Sequence, residues 1–240
     1  MQSESPNTSK DINVSEKEVL LSESQQQVLD RLARSPEGLP KGEKMHLPIE
    51  EMTNTRFLRA LAALRLSYEI ALTERDGIGV ITSGYLDADN VPTAELDEGG
   101  VVNIHTHIGG SFTDLCPSPG DLQICGLRRV AMAKQSTPAM IMNAGGVLVF
   151  GFDPDFRSHE NEENAPGKYS WQLLNKCLYR FDELTFKVTR EEMTLDEALT
   201  AFLDMLKSEG IVRLHKHWGD IRESDLSFLQ IRTLSDVGDS

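Results

Sequence analysis

Cysteine is scarce in this chain: Cys116, Cys125 and Cys177 are the only three in 240 residues, and no two of them show C-x-x-C spacing. So sparse and odd a set does not build a disulfide framework and reads as reduced thiols in a cytoplasmic setting. Long apolar runs are missing too. No stretch approaches the roughly 18 apolar residues that suggest a membrane span, so no membrane association is expected. The polar segment Met1–Lys17 has neither the basic start nor the apolar centre of a secretory signal. Positive charge is in deficit, with Lys and Arg totalling 24 against 38 Asp and Glu, a net charge of −14. The resulting pI near 4.8 argues against nucleic acid as a partner, because its backbone demands a basic footprint. Hydrophobic residues reach only 39%, lean enough that part of the length is expected to lie outside a packed core.

What is present falls into segments. Residues 1–17 are polar and read as a disordered tail, and 18–52 as a short helix or helices followed by a Pro/Gly-broken linker. Thr53 or Asn54 is a good N-cap for a helix carrying Phe57, Leu58, Leu61, Ala62 and Leu64 up to Arg65. That helix is expected to run directly into a strand over Ser67–Thr73, with Asp76-Gly77 as a turn and Ile78–Tyr85 as the returning strand. Val101-Val102-Asn103-Ile104 reads as a strand ending on His105-Thr106-His107. Ser118 then caps a helix over Pro119–Ala133, and a hairpin is expected around Asn143-Ala144-Gly145-Gly146. The resulting α/β, or α+β layered, core spans 53–153. Residues 154–230 read as a mainly helical C-terminal extension with a final strand at Ile211–Leu214, and 231–240 as a loose tail.

The chemistry concentrates at His105-Thr106-His107 and Ser118-Pro119-Gly120-Asp121. Alternation on a strand puts His105 and His107 on one face. Asp121, one turn into the following helix, is able to close a three-point grip on a zinc ion, leaving a fourth position open. Ser118 would stand on the same helical face, at an N-terminus that favours negative charge. Hydrolysis also needs a base, and Glu69 is the best candidate, an acidic side chain in an otherwise apolar strand start. Glu74, beside the turn, reads as solvated.

This order of motifs resembles the JAB/MPN-type (JAMM) zinc metalloproteases: a helix, Glu69 opening a strand, a hairpin, a strand ending in His-Thr-His, then Ser-x-x-Asp opening a helix. The likeness covers roughly 53–153. It implies a cytidine-deaminase-like, MPN-type sheet flanked by helices. It further implies zinc on His105, His107 and Asp121, with Glu69 as general base and Ser118 steadying the water or the oxyanion. Active members cleave peptide or isopeptide bonds, often at the C-terminus of ubiquitin or a ubiquitin-like modifier, so a protein or peptide substrate is implied here. Two departures stand out. Ile108 to Pro117 is ten residues where the family usually has seven, and Ile108 occupies a position where many members have proline. Ser111-Phe112-Thr113-Asp114 is a competing Ser-x-x-Asp within that longer connection.

Other readings remain open on sequence alone. A non-catalytic scaffold of the same fold would keep the elements without the reaction. An amidohydrolase-like enzyme would also carry His-x-His at a strand end, but would need further ligands after several later strands. A second His-x-His, His215 and His217 beside Trp218, has no nearby partner set and reads as a surface or packing feature, with a second metal site or a substrate contact as the alternatives. Gly145-Gly146 reads as a turn, since no strand–Gly-rich–helix context surrounds it.

Overall fold

The computed structural model describes residues 20–40, 42–75, 77–83, 103–123, 125, 138–151 and 168–229. The expected tails at 1–17 and 231–240, the whole 154–167 loop, Asp76 of the expected turn, Val101, Val102, Gly84, Tyr85 and most of the 119–133 helix lie outside these residues.

Helix α1 (Glu23–Ala33) starts at a capping box in which Ser22 and Gln25 satisfy each other's backbone N–H. It leads to β1 (Met45–Pro48), the single turn α2 (Ile49–Met52) and α3 (Thr55–Ala63). Asn54 caps α3 by accepting from the backbone of Arg56 and Phe57, as its sequence position suggests. A hairpin follows, β2 (Ile70–Arg75) and β3 (Ile78–Ser83), and then β4 (Asn103–Thr106). Helix α4 opens at 119 and is described through 123. The second hairpin is β5 (Ala139–Asn143) and β6 (Gly146–Phe150), and α5 (Lys168–Thr189), α6 (Leu195–Ser208) and β7 (Val212–His217) complete the order.

The helix-to-strand junction differs from expectation. Ser67, Tyr68 and Glu69 are not strand; α3 stops at Ala63 and Arg65 adopts a left-handed φ of 48° before β2 begins at Ile70. A reversal is needed there because α3 lies on the sheet face that β2 must enter. Tyr68, 3% exposed, pins the bend by donating its hydroxyl proton to the Leu32 carbonyl at 3.0 Å.

All the strands join one seven-stranded sheet, in the order β1-β3-β2-β4-β5-β6-β7. Only β4 and β5 run parallel. The protein is thus mixed α/β. Its edge strands come from outside 53–153: the linker region supplies β1, and the mainly helical extension supplies β7. Edge strands of four to six residues with broken alternation carry little periodic signal.

Alternation divides the sheet into two faces. Ile70, Leu72, Ile104, Met140, Met142, Val147 and Val149 pack with Leu32, Phe57, Leu58 and Leu61 of α1 and α3. On the opposite face Ala139, Ile141, Leu148 and Phe150 pack with Leu173, Leu174 and Cys177 of α5 and with Phe202, Leu203 and Leu206 of α6. Phe181 meets Phe202 edge-on at 5.4 Å between centroids, a favoured aromatic geometry. Helices on both faces explain why β5 and β6 are buried at every position and show no polar alternation. Cys116 and Cys177 are buried free thiols. Among the described residues no helix is long and apolar enough to cross a membrane.

Phe57 is fully buried between α3 and the sheet. Phe57→Ala is expected to lower the unfolding free energy by about 3–5 kcal/mol, read as a shifted midpoint with unchanged slope in urea denaturation.

Candidate metal centre

The site grows from the middle of the sheet. In the β2–β4 ladder Ala71 stands opposite His105, and in the parallel β4–β5 ladder Ile141 stands beside it. His105 therefore faces the α5/α6 layer, and small Ala71 leaves room for its ring. His107 is one residue past β4, yet its backbone N–H still donates to the Met142 carbonyl at 2.9 Å. That bond extends the ladder and keeps His107 on the same face as His105.

Between them Thr106 points the other way and is buried. Its Oγ1 accepts the Ile70 backbone N–H at 2.8 Å. The middle residue of the His-x-His motif thus anchors the first residue of β2, immediately after Glu69. The metal-binding pattern of the two histidines does not reveal this role, because the Ile70 N–H that Thr106 satisfies is 36 residues away in the chain.

Asp121 enters from α4. Ser118 Oγ accepts the Asp121 N–H at 3.2 Å, while Asp121 Oδ2 accepts the Ser118 N–H at 2.7 Å. This reciprocal cap orients the carboxylate. His105 Nε2 lies 3.1 Å from Asp121 Oδ1, His107 Nε2 lies 3.5 Å from Asp121 Oδ2, and the two Nε2 atoms are 3.2 Å apart. Four ligands placed tetrahedrally at about 2.0–2.1 Å from a zinc-sized ion would stand about 3.3 Å from one another. The observed separations match the edges of such a shell, with one corner left over. His105, His107 and Asp121 form the one group among the described residues whose donor atoms could hold a metal ion.

The electrostatics point the same way. His107 Nδ1 donates to the Asp114 carbonyl at 2.8 Å, and a carbonyl can only accept, so in the neutral ring the Nε2 lone pair is bare. Burial alone would raise the Asp121 carboxyl, but the hydrogen bonds and charge of His105 and His107 outweigh it and hold the carboxyl well below its usual range. His107 moves up: burial pulls it down, but Asp121, the Asp114 carbonyl and Glu69 together prevail. Electron-rich atoms thus converge on a point that requires positive charge, from a proton or from a metal cation.

Glu69 sits half-buried just before β2 and is raised, first by burial, against the partial opposition of His107 and His105. Asp121 adds to the rise. Glu69 is therefore within the field of His105, His107 and Asp121 while remaining outside their hydrogen-bonded cluster. Ser118 is exposed and acts as the cap of α4. Its oxygen accepts from Asp121, which leaves the hydroxyl proton free to donate outward. The competing Ser111 and Asp114 pair closes on itself, the Ser111 N–H donating to Asp114 Oδ2 at 2.9 Å. Of the two acids, Asp121 reaches the histidines by its side chain and Asp114 only by its backbone carbonyl. That carbonyl contact was not legible in sequence, because backbone atoms carry no residue-type signal.

Thr106→Val keeps the shape at this position but deprives the buried Ile70 N–H of its acceptor. A loss of about 1–3 kcal/mol in chemical denaturation is expected, with Thr106→Ser retaining most of the stability. Comparison of the chain with family models, with curated proteins and with solved structures found no match.

Proposed function

We propose that the protein is a zinc-dependent metallopeptidase that hydrolyses peptide or isopeptide bonds. The observation that carries this reading is the convergence of His105 Nε2, His107 Nε2 and the Asp121 carboxylate at tetrahedral-edge spacings, with Glu69 in their field. A borderline cation with nitrogen and oxygen ligands and no demand for a larger shell fits this donor set, and zinc is the common one. When bound with an open position, zinc polarises a carbonyl and acidifies water.

The chain's own groups divide the remaining work. Glu69 takes a proton from the attacking water and returns it to the leaving amine. Its raised carboxyl suits a base that must also act as an acid. Ser118 offers its hydroxyl proton to the developing oxyanion, from a position that α4's first turn already makes favourable to negative charge. Asp114, through its carbonyl, keeps the His107 Nε2 lone pair aimed at the metal, the usual service of a second partner to a ligating histidine. The resemblance of Glu69, His105-Thr106-His107 and Ser118-x-x-Asp121 to the JAB/MPN pattern supports an MPN-like core. It also makes ubiquitin or a ubiquitin-like modifier the first substrate class to try.

Chelation is expected to abolish hydrolysis and added zinc to restore it. Glu69→Gln should retain stoichiometric zinc in elemental analysis while hydrolysis of a ubiquitin-like or generic peptide substrate falls by about 10²–10⁴-fold. Turnover by Glu69→Gln at the unaltered rate would reject the base assignment.

A further inference from the structure

The second His-x-His motif has no part in the chemistry above, yet it touches the metal centre's support. His215 and His217 lie on β7, opposite Leu148 and Gly146 of β6, on the same sheet face as His105. Alternate residues of a strand stand about 6.6–6.8 Å apart, which leaves room for one aromatic ring between two others. Phe112 fills that gap. Its ring stacks on His215 at 3.8 Å between centroids and 10° between planes, and on His217 at 4.0 Å and 18°.

The seat beneath Phe112 is specific. A Cβ on Gly146 would meet the Lys216 carbonyl oxygen of β7 first and stand 2.9 Å from Phe112 Cε2, so glycine admits both the β7 backbone and the ring. The neighbouring backbone is tied down at the same place. Asn143 Nδ2 donates to the Ser111 carbonyl at 2.8 Å, and the same side chain's Oδ1 accepts from Gly145 and Gly146. His217 Nδ1 donates to the Gly145 carbonyl at 3.1 Å, and His215 Nε2 approaches the Phe112 carbonyl at 3.4 Å. Both rings thus have one nitrogen engaged by backbone and a face engaged by Phe112.

Phe112 immediately precedes the 3-10 turn Thr113–Leu115, which carries the Asp114 carbonyl onto His107 Nδ1. Leu115 and Cys116 are buried just beyond it, and the chain then reaches Ser118 and Asp121. The ten-residue connection between His107 and Ser118 would cost about 1–2 kcal/mol per residue to order, and an error in its placement would misdirect both His107 and Asp121. We infer that the His215–Phe112–His217 sandwich is the positioning device of the metal centre: β7 clamps Phe112 so that Asp114 orients His107 and Asp121 arrives in register. Phe112, His215 and His217 are on this inference positioning residues and not metal ligands. The inference rests on the metal-centre reading for its affinity effect, but its structural consequence can be observed without metal.

The test pairs zinc affinity, by competition with a chromophoric chelator, with the imidazole ¹⁵N spectrum of the metal-free protein. Phe112→Leu keeps an apolar side chain and removes the stacking. It should weaken zinc binding by about 10–100-fold, the usual cost of disturbing a ligand's support. It should also lose the slowly exchanging His107 Nδ1–H signal. His217→Ala, which opens one side of the sandwich, serves as a second variant and should move both readouts in the same direction. Phe112→Tyr, and the double variant His215→Phe with His217→Phe, preserve three stacked rings and should bind zinc within about threefold of the unaltered protein. Affinity within about twofold for both Phe112→Leu and His217→Ala would overturn the inference. So would a loss of zinc by the double phenylalanine variant, which would assign the effect to the histidine nitrogens. If the unaltered protein binds no zinc, the metal-centre reading fails, and the His107 signal decides the clamp: its loss in Phe112→Leu supports the clamp and its persistence overturns it.

Discussion

Two imidazole nitrogens 3.2 Å apart, with a half-buried carboxylate against both, make a demand for positive charge that the surrounding fold must tolerate and direct. Without the Asp121 carboxylate the two rings would be crowded lone pairs. Without the rings, Asp121 would be a half-buried anion held by the Ser118 N–H. The three are stable together because each supplies what the others lack, and a divalent cation answers the same demand more completely than a proton. The position of Glu69 follows from this centre: far enough not to join the cluster, close enough that its carboxyl feels all three groups.

The sheet makes that arrangement rigid. His105 lies on β4, an inner strand with an antiparallel neighbour on one side and a parallel one on the other. Apolar layers cover both faces, α1 and α3 on one and α5 and α6 on the other. A side chain on a central strand cannot shift without breaking two ladders. Asp121, by contrast, stands on a helix reached through a long connection, so its placement depends on what that connection touches. Ser111, Phe112 and Asp114 each make a contact that fixes a different part of it.

Much of the fold could be read directly. The Asn54 cap, the Thr194–Glu197 capping box of α6 and the hairpin at Asn143–Gly146 follow local rules of hydrogen bonding and turn chemistry, and they occur where those rules put them. The junction after α3 was not readable. Apolar alternation runs continuously through Tyr68 and Ile70, while the Arg65 reversal is imposed by the packing of α3 on the sheet. The edge strand β1 was not readable, because a short strand declares itself only through the partner it pairs with, whereas β7 was read in part at Ile211–Leu214 and runs on to His217.

The order of residues alone placed two imidazoles on one strand face and Asp121 at the opening of a helix behind a Ser118 cap, because strand alternation and helix capping are properties of neighbouring residues. Only the tertiary structure decided that Asp121 rather than Asp114 turns its carboxylate to the rings, that Thr106 anchors β2, and that His215 and His217 hold Phe112 from a strand more than a hundred residues away. Those contacts join segments distant in the chain, and their energies depend on a packed sheet that no local pattern encodes.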